Sequence, residues 1–229
     1  MYKSIFIDLD DTVWAFSENA RDTFQDMYDK YHFDRYFRSF DHFYTLYEGK
    51  NEALWIAYGE GKITKDELNL QRFSYPLLQV GVDDRALVKS YSRNFFEEIV
   101  FKKKVMPHAR EALEYLASKY DLYILSNGFR ELQEQKMRSA DVRHYFKKVV
   151  LSDDIGVLKP APEIFYFAMS ATQSELHTSL MIGDNWKNDV KGAKDAGLGQ
   201  IYYNVKNTAE FPFRPTGVME DWTEIDKWL

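Results

Sequence analysis

Three aspartates follow directly after the first apolar run of the sequence. Residues 5–7 are Ile-Phe-Ile, and Asp8, Asp10 and Asp11 come next. Such an apolar run is typical of a strand that is buried on both faces, as in a parallel sheet. Clustered carboxylates repel one another and lose solvation when enclosed, so they persist when solvated, paired with cations or bound to a metal. The strand end therefore indicates a place that can hold a cation together with an anion.

Polar residues also follow three later apolar runs of the sequence, at 122–125, 149–151 and 180–182. These residues are Ser126 and Asn127, Asp153 and Asp154, and Asp184. In open α/β sheets the ligand site lies beyond the carboxyl ends of the strands, so the polar groups are expected to converge, with Asp153 and Asp154 in a solvated loop. Lys159 follows the run at 149–151 and can reach the same edge. Acids, a lysine and a hydroxyl suit phosphoryl transfer, in which catalysis consists mostly of positioning and charge neutralisation.

The elements that must position these groups change character near residue 105. Beyond it, helical patterns alternate with short apolar runs, which predicts an α/β fold with a doubly wound, Rossmann-like parallel sheet. Before it, residues 14–101 show helical patterns. Thr64 and Glu67 form a predicted capping box, and Asp83 is the predicted cap of a later helix.

The composition restricts the classes of function. The 229 residues are 45% hydrophobic and 17% aromatic, which is sufficient for a buried core. The net charge of -6 disfavours a nucleic-acid polymer as partner. The absence of cysteine excludes disulfides and fits a reducing compartment. Without a signal-like start or a run of about 18 apolar residues, we expect a cytoplasmic protein with no membrane partner.

The polar segments resemble, in order, the four motifs of the haloacid dehalogenase superfamily of phosphohydrolases. The matching segments are Asp8-Leu9-Asp10-Asp11-Thr12 for DxDxT, the strand-end Ser126, Lys159-Pro160, and Gly183-Asp184 through Asp189 for GDxxxxD. One DxD is a common pattern, whereas four ordered matches at the ends of elements are specific. The resemblance implies a catalytic core of residues 1–13 and 102–229 and a helical cap domain of residues 14–101.

The resemblance and the chemistry of the residue types imply a covalent mechanism. Asp8 would attack phosphorus and form an aspartyl phosphate. Asp10 would protonate the leaving oxygen and later deprotonate water. The implied cofactor is Mg²⁺, which prefers oxygen ligands and would bind the side chains of Asp8 and Asp184 and the carbonyl oxygen of Asp10.

The remaining motif residues would bind the phosphate or support the site. Lys159 would neutralise charge between the nucleophile and the phosphate, while Ser126 and the amide of Asn127 would donate to phosphate oxygens. Asp189 would orient Lys159 or the metal shell.

The helical region resembles, at residues 51–64 and 71–73, the cap of the bacterial pyrimidine 5'-nucleotidases. This resemblance implies that the partner is a small phosphorylated metabolite, in the first place a nucleoside monophosphate. The protein is expected to be a monomer or a small homo-oligomer. Trp55 or Tyr58 could stack on a base, although aromatic residues at helical spacing are also typical of core packing.

Four alternatives stay open. A phosphoglycolate or sugar-phosphate phosphatase would keep every catalytic residue, and a phosphosugar mutase would give an isomerised product. A 2-haloacid dehalogenase needs neither Mg²⁺ nor Asp10 as an acid, so the second aspartate argues against it. A receiver-type signalling domain also uses a phospho-accepting aspartate, but it is much shorter and has no cap.

Overall fold

The computed structural model describes residues 1–205, 207–208 and 210–229, which fall into two compact units. The first unit consists of Met1–Phe16 and Lys103–Leu229, and the second is Ser17–Lys102. The chain thus leaves the first unit soon after its first strand and returns to it to complete the sheet.

A parallel sheet forms the centre of the first unit. Its strands within the described residues are β1 (Ser4–Ile7), β2 (Asp121–Ser126), β3 (Lys148–Leu151), β4 (Ser179–Gly183), β5 (Gly199–Tyr203) and β6 (Gly217–Met219). Their order is β3-β2-β1-β4-β5-β6, and every neighbouring pair is parallel. The predicted α/β parallel sheet is therefore confirmed.

The register of the central strands aligns their carboxyl ends. Ile7 lies opposite Ile124 on one side and Ile182 on the other. All four residues of β1 are buried, as expected for a strand covered on both faces. The strand order reverses between β1 and β4, where α/β sheets commonly hold ligands. Asp8 and Asp184 follow these two strands.

Helices flank the sheet in the first unit. They are α5 (Ala109–Ala117), α6 (Arg130–Ser139), α7 (Pro162–Thr172) and α8 (Gly192–Asp195), the last preceded by a π-helical turn at Trp186–Lys191. A core cluster joins Phe6 and Met181 of the sheet to Phe165 of α7 and Ala193 of α8. A Cβ at Gly192 would lie 2.9 Å from the Phe165 ring, so only glycine permits this close approach.

The second unit is built from helices around aromatic side chains. The helices are α1 (Phe16–Lys30), α2 (Phe40–Gly59), α3 (Lys65–Gln79) and α4 (Arg85–Ile99). Phe24 stacks on Phe95 with ring centroids 4.2 Å apart and also contacts Phe73 at 6.0 Å. Among the described residues, no helix of either unit has the length and apolar character needed to cross a bilayer.

Two helix starts in the second unit test the capping predictions. The Glu67 N–H donates to Thr64 Oγ1 at 3.2 Å and the Thr64 N–H donates to Glu67 Oε2 at 2.8 Å, which confirms the capping box. The prediction of Asp83 as a cap is wrong. Asp84 caps α4 instead, because its carboxylate accepts from the Leu87 N–H at 2.9 Å, three residues along the first turn.

Candidate active site

Lys159 lies buried among carboxylates at the carboxyl end of the sheet. Its Nζ donates to Asp8 Oδ1 at 2.7 Å, to Asp189 Oδ1 at 2.6 Å and to the Leu125 carbonyl at 2.7 Å. These bonds use all three donors of the ammonium group. Burial alone would lower the pKa of Lys159, but the charges of Asp189 and Asp8 outweigh burial and raise it. The lysine is therefore a fixed cation beside Asp8.

The loop that carries Lys159 is held by Asn127. The Asn127 side chain donates from Nδ2 to the Lys159 carbonyl at 2.9 Å and accepts from the Lys159 N–H at 2.8 Å. The Ser152 hydroxyl in turn donates to the Asn127 carbonyl at 3.2 Å. The Asn127 side chain thus positions the lysine, while any contact with a substrate would come from its main-chain N–H.

Thr12 connects the loop after β1 to the loop after β4. Its hydroxyl donates to Asp184 Oδ1 at 3.1 Å and accepts from the Asp184 N–H at 3.0 Å. The Thr12 carbonyl accepts from Trp222 Nε1 at 2.8 Å, and both side chains are fully buried. Two sequence-distant segments therefore fix the end of the first motif.

Three carboxylates lie close enough together to hold a metal ion. One oxygen each from Asp8, Asp184 and Asp189 lie within 4.8 Å of one another. Asp189 Oδ1 already accepts from Lys159, and its Oδ2 accepts from the Asn185 N–H at 3.0 Å. Asp8 and Asp184 are consequently the better placed ligands, and their hard oxygen atoms fit a cation such as Mg²⁺.

The electrostatics of these carboxylates also fit a cation. Burial raises the pKa of Asp8 to about 7, although Lys159 opposes the shift. Burial, followed by the negative charges of Asp189 and Asp8, raises the pKa of Asp184 to about 8. A divalent cation would offset both the lost solvation and the mutual repulsion of the two anions.

The Asp10 carboxylate belongs to a different set of contacts. Lys136 Nζ donates to its Oδ1 and Gln133 Nε2 donates to its Oδ2, both at 2.9 Å. The same Gln133 Nε2 donates to Ser126 Oγ at 2.9 Å, and the Gly128 N–H donates to that hydroxyl oxygen at 3.1 Å. The Ser126 hydroxyl hydrogen stays available for a further acceptor.

Sequence reasoning missed Gln133 and Lys136. They lie three residues apart on α6, and both are buried although the helix is strongly polar. Residues at this spacing share a helix face. Asp10 and Ser126 both need hydrogen-bond donors, and this pair of residues could supply them. That combination was the signal in the sequence that could have identified the pair.

The remaining predicted residues make contacts of their own. Asp153 Oδ2 accepts from the Arg130 N–H at 3.0 Å, and Asp154 pairs with the Arg130 guanidinium, so both acids secure the start of α6. Trp55 and Tyr58 lie in α2 of the second unit, half-buried, with their rings edge to face at 5.8 Å.

Comparisons with known proteins agree with this arrangement. A family model described as a haloacid dehalogenase-like hydrolase matches residues 2–197. The chain is 30% identical over 205 residues to the HAD-hydrolase YfnB of Bacillus subtilis, covering 89% of this chain and 84% of that protein. It is 28% identical over 225 residues to the pyrimidine 5'-nucleotidase YjjG of Escherichia coli, covering 96% of this chain and 92% of that protein.

A solved structure extends the comparison to three dimensions. The crystal structure of magnesium-bound YfnB matches with a TM-score of 0.87 at 27% identity, covering 99% of this chain and 97% of that chain. The match spans the sheet, the motif residues and the helices of the second unit.

Proposed function

The chain belongs to the haloacid dehalogenase-like hydrolase family, and we propose that it is a Mg²⁺-dependent phosphomonoesterase that prefers nucleoside 5'-monophosphates, pyrimidine nucleotides first. The observation that carries the reaction class is the fixed contact of Lys159 with Asp8 beside the carboxylate of Asp184. A nucleophile next to a lysine and a cation-binding acid suits a phosphate dianion, which needs positive charge on several sides.

Asp8 is the proposed nucleophile. Lys159 holds its Oδ1, which fixes the orientation of the carboxylate. A bond forms between a carboxylate oxygen of Asp8 and phosphorus while the bond from phosphorus to the ester oxygen breaks, and Asp10 gives its proton to the departing oxygen. In the second step a water molecule attacks phosphorus, Asp10 takes a proton from the water, and the bond between Asp8 and phosphorus breaks, which releases Asp8 and inorganic phosphate.

The other residues neutralise the charge of the phosphate and orient the reacting groups. Mg²⁺, held by the side chains of Asp8 and Asp184 and by the Asp10 carbonyl, would supply Lewis-acid neutralisation of the phosphate charge. The Ser126 hydroxyl and the Asn127 main-chain N–H donate to phosphate oxygens. The carboxylate of Asp189 holds Lys159 in place.

The preference for nucleotides is supported by the similarity to YjjG along nearly the whole chain, including the second unit. We propose that this unit is the cap domain that selects the substrate. Trp55 and Tyr58, as half-buried aromatic residues of α2, are the candidates for stacking on a base.

A panel of phosphomonoesters tests the proposal. Release of inorganic phosphate is measured with UMP, dUMP, dTMP, purine nucleotides, phosphoglycolate and sugar phosphates, in Mg²⁺ and in excess chelator. We expect the highest kcat/KM with a pyrimidine nucleotide and almost no turnover in chelator. Undiminished turnover in chelator, or no release from any ester, overturns the mechanism. A clear preference for phosphoglycolate or a sugar phosphate overturns the nucleotidase assignment alone.

A further inference from the structure

The two carboxylate oxygens of Asp10 accept hydrogen bonds from two side chains of α6. Neither of these side chains belongs to the four motifs. Lys136 Nζ and Gln133 Nε2 each lie 2.9 Å from a different carboxylate oxygen. A carboxylate held at both ends cannot rotate freely about its final bond. Each oxygen still has a second lone-pair site, so proton exchange with a substrate or water stays possible.

The surroundings of Lys136 direct its charge to Asp10. Its side chain is 4% exposed, and its Nζ lies 4.7 Å from the Trp14 ring centroid and 5.2 Å from that of Phe16. Burying an ammonium group costs free energy unless it is paired and hydrogen-bonded. Asp10, whose side chain is 27% exposed, is the anion that pairs with it. The two rings thus confine the lysine while leaving one face of its partner open.

Gln133 contributes a hydrogen-bond donor to the site. Its Nε2 bridges Asp10 and the phosphate-binding candidate Ser126, whereas its Oε1 has no partner among the described residues. Space for the amide depends on Gly128, because a Cβ there would lie 2.0 Å from Gln133 Nε2. The missing side chain of Gly128 therefore leaves room for the Gln133 amide to bridge Asp10 and Ser126.

We infer that Lys136 and Gln133 are positioning residues that orient Asp10 for proton transfer, first to the leaving oxygen and then from water. The inference rests on the proposed phosphomonoesterase reaction and deepens it. Asp10 performs the transfer, and the two α6 side chains act through it. Their loss should therefore matter most when the leaving group needs a proton.

Two aryl esters of nearly equal size separate this role from a general loss of activity. The leaving group of 4-nitrophenyl phosphate departs as a stable anion, whereas that of phenyl phosphate needs a proton. The measured quantity is kcat/KM, which reports the steps up to departure of the phenol. The variants are Lys136→Met, Gln133→Met and the conservative Lys136→Arg. Lys147→Met, which removes an exposed lysine that pairs with Asp121, is the matched control.

For Lys136→Met we expect kcat/KM to fall by about 30-fold or more with phenyl phosphate and by less than about threefold with 4-nitrophenyl phosphate, since general acid catalysis typically contributes about 10²–10⁴-fold. Gln133→Met should show the same contrast more weakly, and Lys136→Arg should recover most of the loss. With 4-nitrophenyl phosphate, Lys136→Met should also give a burst of 4-nitrophenol, because attack by water still needs Asp10.

Equal losses on the two esters, or no loss, overturn the inference and leave the proposed function standing. If Lys136→Met does not fold, the same contrast in Gln133→Met decides the question, since that substitution keeps the lysine. If the unaltered protein hydrolyses neither ester nor any nucleotide, the proposed function itself fails.

Discussion

Thr12, in the loop after β1, and Asp184, in the loop after β4, form two hydrogen bonds with each other at the carboxyl end of the sheet. The Thr12 hydroxyl donates to the Asp184 carboxylate at 3.1 Å and accepts from the Asp184 main chain at 3.0 Å. One hydroxyl therefore fixes both the position and the orientation of a proposed metal ligand. Residues that orient ligands in this way commonly affect metal affinity as strongly as some of the ligands do.

Replacing Thr12 with valine should weaken Mg²⁺ binding. Valine keeps the branched shape but removes both hydrogen bonds, so the Asp184 side chain is free to turn. We expect the Mg²⁺ concentration for half-maximal activity to rise by about 10–100-fold, measured by titration of phosphate release. Thr12→Ser, which keeps the hydroxyl, should stay close to the unaltered protein. An unchanged Mg²⁺ requirement in Thr12→Val would show that Asp184 is oriented by other contacts.

The stability of the metal-free protein should fall as the pH rises from 6 to 8. Folding raises the pKa of Asp8 to about 7 and of Asp184 to about 8, so the folded state binds more protons than the unfolded state between the ordinary carboxyl pKa of about 4 and these values. That stabilising contribution is complete below the ordinary carboxyl pKa of about 4 and is lost as the pH passes through the raised values.

Chemical denaturation in chelator measures this dependence. We expect the free energy of unfolding to decrease by about 1–3 kcal/mol between pH 6 and pH 8. Mg²⁺ should restore more stability at pH 8 than at pH 6, because it competes with protons for the same carboxylates. The variant Asp184→Asn should flatten the profile. Stability that rises over this interval in chelator would contradict the assigned environment of the two acids.

Asp8 and Asp10 should differ in the species that accumulates. Asp8→Asn should abolish turnover, by at least about a thousandfold, and should form no phosphorylated protein, because the nucleophile is missing. Asp10→Asn should become phosphorylated by 4-nitrophenyl phosphate and then hydrolyse slowly. Acid-quenched mass spectrometry measures the phosphate adduct. An adduct in Asp8→Asn would place the nucleophile elsewhere.

The proposed base-stacking residues should affect nucleotides selectively. Trp55→Ala is expected to lower kcat/KM for UMP by about tenfold, since stacking of a base on an aromatic ring contributes about 1–3 kcal/mol. The value for 4-nitrophenyl phosphate should stay within about twofold. The neighbouring Ile56, which is 50% exposed, offers Ile56→Ala as a matched control. Equal effects of Trp55→Ala on both esters would indicate packing within α2.

The sheet was predictable because each of its central strands contains a short apolar run that is followed closely by polar residues. The same signal placed Asp8, Lys159 and Asp184 at one edge, and the structure brings them together. The edge strand β6 lacked the signal, since it has only three residues and begins with Gly217. A strand so short has no periodicity to detect.

The contacts around Asp10 could not be read from the sequence for a different reason. Lys136 is an ordinary helix residue by type, and its significance comes from burial against Trp14 and Asp10, which are more than a hundred residues away in the chain. The sequence pattern of a helix predicts which of its faces is apolar and buried. A lysine on that face departs from the pattern, so the pattern does not predict its burial. Only the folded structure identifies its partner.

The hydrogen bond from Trp222 to the Thr12 carbonyl joins residues 210 positions apart. During translation, the segment that carries Asp8 and Asp10 leaves the ribosome before Trp222, and this bond cannot form until Trp222 has also emerged. The loop after β1 is therefore completed by a residue that is synthesised much later. Nascent chains released before that point would carry every motif but would lack this hydrogen bond.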